Sequence, residues 1–290
     1  MPELPEVETL RRGLATVLPG RRILSVHILD RKPVAGSPEI TGHCVTGHRI
    51  GKAGRRGKVL ILPLHSSGSL LIHPKMTGQL IVTVAGVTVV AGGHPTPSML
   101  GPMPNPTTRA AFRLDQDTCL YYNDARRFGW IRLAGPQPCA TDPFLCRLGP
   151  EPLGEAFTVA VLRECLTRPA RAPVKAVLLN QAVVAGIGNI YADESLHHAR
   201  IHPGRTAGSL SPRETRRLHA AVQAVLHSAI QTGGTSFAAY VNDFRGQRGY
   251  LDHAEVFRRQ GQPCDVCGTP IARTKIAGRA TNFCPHCQQP

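Results

Sequence analysis

The chain opens with apolar residues at helical spacing. Val7, Leu10, Leu14, Val17 and Leu18 recur every three or four positions, the stripe that an amphipathic helix turns toward a core. Pro5 suits the first turn of such a helix, where its missing N–H costs nothing, and Pro19-Gly20 stops it. Short β-rich runs follow. Runs at 23–29, 58–64, 69–73, 79–84, 110–114, 120–123 and 130–133 are rich in β-formers and bounded by Gly, Pro, Asp and Ser, so they predict the short strands of a sandwich or barrel. Residues 85–107, rich in Gly and Pro and poor in charge, are expected to form one long flexible loop.

From residue 136 the pattern changes. Gly135-Pro136-Gln137-Pro138 and Gly149-Pro150-Glu151-Pro152 bracket a linker, and helical periods follow. Ser211-Pro212-Arg213-Glu214 reads as a capping box with Pro at the first helical position. Leu218, Ala221, Val222, Val225, Leu226 and Ile230 then share one face, and Gly233-Gly234 ends the helix. The reading is an α+β chain of several domains: a β-sandwich with an N-terminal helix over 1–135, a linker over 136–152, a helical domain over 153–240, and a C-terminal segment over 241–290 that ends in a cysteine module.

Charge adds a partner class. The chain carries 34 Lys and Arg against 19 Asp and Glu, a formal net charge of +15. Such an excess suits a polyanion, because basic side chains gain affinity by displacing counterions from phosphates. Arg far outnumbers Lys, so the same excess also fits a basic bias of genome composition. No apolar run approaches the ~18 residues of a membrane span, and the start has no signal-peptide pattern, so a cytosolic, soluble protein is expected.

The nine cysteines divide in two groups. Cys44, Cys119, Cys139, Cys146 and Cys165 are scattered and read as ordinary thiols. Cys264-x2-Cys267, sixteen intervening residues and Cys284-x2-Cys287 form matched pairs at finger spacing. Four thiolates complete a tetrahedral site with no position left for water, so one structural zinc is predicted. Arg273, Lys275 and Arg279 between the pairs make a basic strand–turn–strand suited to phosphates, although a finger alone serves protein contacts as readily.

Candidate chemistry comes from five segments, each with a bland alternative. Removal of Met1 exposes the secondary amine of Pro2, part of which is unprotonated at neutral pH, and such an amine can attack an aldehydic sugar carbon. Glu3 and Glu6 flank it as proton carriers, yet Pro and Glu also favour any helix start. Gly54-Arg55-Arg56-Gly57-Lys58 places a lysine at a strand entrance, ready for a phosphate or merely solvated. His73-Pro74-Lys75-Met76-Thr77-Gly78 puts a methionine on a turn, as a base-stack wedge or as core filler. Asn123-Asp124-Ala125-Arg126-Arg127-Phe128-Gly129 sets guanidinium groups beside a ring, suited to a hole left by an extruded base. The segment 180–194 holds Gly186 and Gly188 before Asn189, a turn whose amides can grip a phosphate or simply join two helices.

Together these segments resemble the formamidopyrimidine-DNA glycosylase/endonuclease VIII family along essentially the whole chain. The landmarks are PELPEVE, GRRGK, H-x-x-M-T-G, NDxRRFG, QxVVAGIGNIYxDE and the four-cysteine finger with RAT before its second pair, all in the family's order. Leu4 resembles the formamidopyrimidine branch, where the endonuclease VIII branch typically has Gly. The resemblance implies a helix-two-turn-helix domain after the sandwich, a lesion loop before the zinc finger, and double-stranded DNA with oxidised bases or abasic sites as partner. It implies Pro2 as nucleophile at C1′, Glu3 as acid/base and Lys58 as a phosphate contact that aids catalysis. Glu6, His73, Met76, Arg126 and Phe128 fall on the DNA side, the last three filling the vacated duplex, and Asn189 and Arg279 hold backbone phosphates. Lys175 lies in a matching helix and is expected to touch DNA; Glu194 also matches.

The implied reaction flips the damaged nucleotide, displaces the base through a Pro2 iminium and cuts the strand by β,δ-elimination, with no metal in the chemistry. A monomer in the bacterial cytoplasm, at the nucleoid and off the membrane, is the implied setting. Pro74-Lys75, Ala125, Phe257-Arg258 and the long 85–107 segment depart from the family pattern, and 242–249 matches its lesion-capping loop loosely. Two other readings stay open: an endonuclease VIII-like enzyme for oxidised pyrimidines, and a non-catalytic paralogue that only binds damaged DNA.

Overall fold

A computed structural model describes residues 1–34, 44–65, 68–94, 96, 99, 101–234 and 249–290. The chain divides into two compact units, Met1–Cys146 with Thr232–Gly249, and Arg147–Gln231 with Tyr250–Pro290. Residues 136–146, expected in the linker, belong to the first unit; there α2 (Pro138–Thr141) leads to Asp142, whose Oδ1 accepts from Phe144 N at 2.9 Å and Leu145 N at 3.0 Å. The cysteine finger falls in the same unit as the helices.

The first unit is an antiparallel sandwich with a helix at its start. Helix α1 (Leu4–Val17) buries Val7, Leu10 and Leu14, the stripe read from the sequence. One sheet has the order β1 (Ile23–Ile28), β7 (Thr108–Leu114), β8 (Thr118–Asp124), β5 (Gly78–Val84), β6 (Val87–Gly93). The other runs β2 (Gly54–Arg56), β3 (Val59–Leu64), β4 (Gly68–His73), β9 (Trp130–Ala134). Register pairs Leu60 with Ile72 and Leu62 with Leu70 in the small sheet, and Leu80 with Tyr122 and Val82 with Leu120 in the large one. All eight side chains enter one core with α1, which is what period-two patterning on both sheets requires.

The loop expected over 85–107 is corrected. Its first part, Val87–Gly93, is strand β6, paired along β5 from Gln79↔Gly93 to Val84↔Val87. The Ala-Gly-Gly that closes this strand hides it in the sequence, and small residues are needed there: a Cβ on Gly92 would press on Leu10 of α1. Described residues beyond the strand pack too. Met99, 2% exposed, joins Ile81, Ala91, Met103 and Tyr121 on the outer face of the large sheet.

The second unit contains α3 (Val159–Thr167), α4 (Val174–Leu179), α5 (Asn189–His198), α6 (Pro212–Gln231) and the hairpin β10 (Ala272–Ile276), β11 (Arg279–Phe283). The capping box before α6 forms as read: Ser211 N donates to Glu214 Oε2 at 2.8 Å, and Glu214 N to Ser211 Oγ at 3.3 Å. Among the described residues no helix is long and apolar enough to cross a membrane.

Candidate active site

Strand register gathers most of the expected residues at one end of the sandwich. Lys58 immediately precedes β3, whose partner β4 ends at His73, and β9 begins opposite it with Trp130. Strand β5 begins at Gly78, opposite Asp124, the last residue of β8. The turn 74–77 and the loop 125–129 therefore emerge side by side. His94 follows β6 at the same end, its N–H donating to Gly78 O at 3.1 Å. Burial first and the positive charge of the chain's N-terminus second hold the His94 imidazole below its usual pKa, which brings the N-terminus to this end too.

The start of α1 is locked by its own capping box. Glu3 N donates to Glu6 Oε2 at 2.8 Å, while the Glu3 carboxylate accepts from the Glu6 backbone. Both carboxylates are 2% exposed. Pro2 is buried beside them and Met1 is half exposed. Glu8 fixes the outer side of the helix. It accepts from Arg11 and Arg12 of its own helix and from Arg55 of β2 at 3.3 Å. Burial pushes the Glu8 carboxyl up, but these arginines outweigh it and hold it at about 2.

Lys58 is 6% exposed and lies near His73. Burial first, then the charges of Lys75, Lys58 and Arg132, push the His73 imidazole well below its ordinary value. The neutral ring accepts the Lys75 N–H at Nδ1, 3.0 Å away. That bond closes a turn in which Lys75 adopts a left-handed φ of 51° and Met76 points outward, 39% exposed.

One carboxylate unites the turn with the neighbouring loop. Asp124, fully buried, accepts the Thr77 hydroxyl and the Arg126 N–H (3.2 Å) at Oδ1, and the Gly129 N–H (2.8 Å) and Tyr122 hydroxyl (3.4 Å) at Oδ2. Burial and then the Asp124 charge push the Tyr122 phenol far above its usual value, so it remains a donor. Arg127 pairs with Asp30 at 2.9 Å, which leaves Arg126 stacked over the exposed Phe128 ring at 4.7 Å. Asp124 and Thr77 were not singled out in the sequence, although both lie inside quoted motifs.

In the second unit Asn189 opens α5 and is half buried; its Nδ2 donates to Ala280 O at 3.0 Å, which sets it beside exposed Arg279 on the hairpin. The Lys175 expectation is corrected. Lys175 is 0% exposed, and its Nζ meets Asp193 Oδ1 at 2.6 Å, Thr281 Oγ1 at 2.8 Å and Ala280 O at 3.0 Å. These partners enclose the ammonium away from solvent, which sets Lys175 in the interior rather than on a surface that could meet a phosphate. Glu194, also fully buried, accepts the N–H groups of Glu255, Val256 and Phe257 at 2.8, 3.0 and 2.8 Å.

The four finger cysteines converge. Their Sγ atoms all lie within 4.8 Å of one another, with Cys267 and Cys284 3.5 Å apart. Tetrahedral zinc with ~2.3 Å bonds to sulfur needs edges of about 3.8 Å, so the set fits one ion. The lesion-loop expectation at 242–249 falls outside the described residues except for Gly249.

Three family models match successive stretches: the formamidopyrimidine-DNA glycosylase N-terminal domain over residues 1–131, the formamidopyrimidine-DNA glycosylase H2TH domain over 148–240, and a zinc finger found in FPG and IleRS over 261–290. The chain is 44% identical over 290 residues to a formamidopyrimidine-DNA glycosylase of Symbiobacterium thermophilum, covering 99% of this chain and 89% of that one. It is 42% identical to that of Heliobacterium modesticaldum, with 100% of both covered. Among crystal structures, the MutM (Fpg) protein from Thermus thermophilus aligns with a TM-score of 0.81 at 39% identity, over 99% and 98% of the two chains. A complex between Lactococcus lactis Fpg and DNA containing an abasic site aligns with a TM-score of 0.85 at 32% identity, over 99% and 100%.

Proposed function

The chain belongs to the formamidopyrimidine-DNA glycosylase family, and from that premise we propose how its own residues remove an oxidised base and open the strand. The protein is a base-excision-repair DNA glycosylase and abasic-site lyase with one structural zinc, and its partner is DNA. The zinc supplies folding energy to the finger. The finer assignment is oxidised purines, 8-oxoguanine and formamidopyrimidines, acted on by a monomer in the bacterial cytoplasm at the nucleoid.

After Met1 is removed, the Pro2 nitrogen attacks C1′ of the flipped nucleotide; the glycosidic bond breaks and the base leaves with a proton. Glu3, one residue away, protonates the opening sugar and later collects the proton lost at C2′. Ring opening leaves an iminium between Pro2 and C1′. Successive β- and δ-eliminations break the C–O bonds to the two flanking phosphates. Water then hydrolyses the iminium to free the sugar fragment, leaving a one-nucleotide gap with phosphate ends. Lys58 holds the phosphate beside the lesion, with neutral His73 as a hydrogen-bonding neighbour. Met76 wedges into the stack, and Arg126 with Phe128 occupies the hole and reads the opposite base. Asn189 and Arg279 grip flanking phosphates, and Glu6 supports the cap that aims Glu3.

The observation that supports this reading best is the register that brings Lys58, His73, Met76, Arg126 and Phe128 to the end of the sandwich where the N-terminus lies. The test is borohydride trapping on a duplex carrying 8-oxoguanine opposite cytosine, with an abasic duplex alongside. A covalent adduct is expected from protein lacking Met1 and lost in Pro2→Gly. No adduct from zinc-loaded, Met1-free protein on either duplex would leave only a DNA-binding paralogue. A panel of oxidised pyrimidine duplexes separates the endonuclease VIII-like preference.

A further inference from the structure

The second unit holds a polar cluster that base excision leaves unused. His197, in the last turn of α5, is 3% exposed, and both of its ring nitrogens face other residues. Nδ1 lies 2.7 Å from Glu255 Oε2, and Nε2 lies 3.6 Å from the Cys264 sulfur. Glu255 is itself held on two sides. Its Oε1 lies 3.0 Å from His198 Nε2, and its backbone N–H donates to buried Glu194. Arg259 completes the frame: it donates to the carbonyls of Ala254 and Glu255 and pairs with Asp265, the residue after Cys264.

The chemistry of the ends decides what the ring does. A metal-bound thiolate accepts hydrogen bonds and offers none, and a carboxylate does the same. Both ring nitrogens face such acceptors, so the ring satisfies the two contacts together only with a proton on each nitrogen. The 3.6 Å separation suits an N–H···S bond, sulfur being larger than oxygen. We propose that His197 is a fifth residue of the zinc centre, donating from Nε2 to the Cys264 thiolate while Glu255 fixes the ring. The donor draws charge from the sulfur, which makes it a poorer nucleophile toward an incoming electrophile. The finger of a protein that works amid oxidative damage thereby keeps its ion when electrophiles reach it. The proposal rests on the four cysteines holding zinc, which metal analysis checks separately.

The experiment follows zinc release from the full-length holoprotein after N-ethylmaleimide, read with a chromogenic chelator. His197→Phe fills the buried space without a donor, and His197→Gln keeps an amide N–H near the sulfur. Release is expected about tenfold faster in the Phe variant, the lower end of the range for losing an outer partner of a metal ligand, and closer to wild type in the Gln variant. Equal rates for wild type and the Phe variant, both carrying one zinc, overturn the proposal. Should the Phe variant fail to fold, unmutated protein with 113Cd in place of zinc and 15N in histidine decides it. A proton on His197 Nε2 that couples to cadmium supports the bond; a bare Nε2, or one bonded directly to the metal, overturns it.

Discussion

Asp124 in the sandwich and Asp193 in the helical unit are both shut off from solvent, and each ties a recognition segment to a rigid element. Their partners differ. The Asp124 carboxylate takes four neutral donors, from Thr77, Arg126, Gly129 and Tyr122, and the Arg109 guanidinium donates instead to its backbone carbonyl at 2.8 Å. Asp193 is paired with the Lys175 ammonium and also accepts Asn282 N–H at 2.9 Å. Neutral donors fix backbone direction and hold two loops at a chosen spacing. An ion pair in a dry interior fixes a fold, because neither partner tolerates losing the other. The sandwich end is thus built to aim side chains, and the hairpin attachment is built to stay closed.

The sharpest way to break this contrast is Lys175→Met. It strands the Asp193 carboxylate and is expected to cost about 3–5 kcal/mol in urea unfolding, with much of the loss recovered when Asp193→Leu is added. A cost near zero, joined to a shallower salt dependence of DNA binding, would return Lys175 to the phosphate role read from the sequence. Asp124→Ala comes next, at about 2–3 kcal/mol, because several donors lose one acceptor. Its characteristic effect is a narrowed ratio of excision rates opposite cytosine and opposite adenine, since the Met76 turn and the Arg126 loop come apart. An unchanged ratio would show that the two segments are positioned independently. The smallest effect is Lys75→Gly. Glycine adopts the left-handed conformation without strain, so the thermal midpoint is expected to rise by the equivalent of about 1 kcal/mol. No rise would mean that the contact of Lys75 Nζ with the Phe144 ring, at 5.8 Å, offsets the strain.

These cases also show what a sequence makes legible. The apolar runs at 59–62 and 70–72 report strands by their short length and β-former content between turn residues, although only alternate members, Leu60, Leu62, Leu70 and Ile72, join the core shared with α1. Strand β6 escaped because Ala91-Gly92-Gly93 carries no alternation, and its smallness serves a helix distant in sequence. The cysteine pairs were readable from spacing alone, because two turns and one ion determine the geometry. Lys175 was misread because a lysine looks the same whether it faces water or a buried aspartate 18 residues on. Asp124 lay inside a recognised motif with three of its donors, Tyr122, Arg126 and Gly129, but the fourth, Thr77, sits 47 residues away on another turn, and no local pattern records that link. His197 likewise shows its role only beside Cys264.

Gly129 carries a consequence for redesign. A methyl group at that position would overlap the Tyr122 hydroxyl and crowd the His73 carbonyl, so even alanine has no room. The adjoining Arg126 and Phe128 project outward with space around them. A library meant to redirect opposite-base choice can therefore randomise 126 and 128 while holding 129 constant. A side chain at position 129 would displace the Tyr122 hydroxyl from Asp124 and so disturb the turn and loop that present those residues.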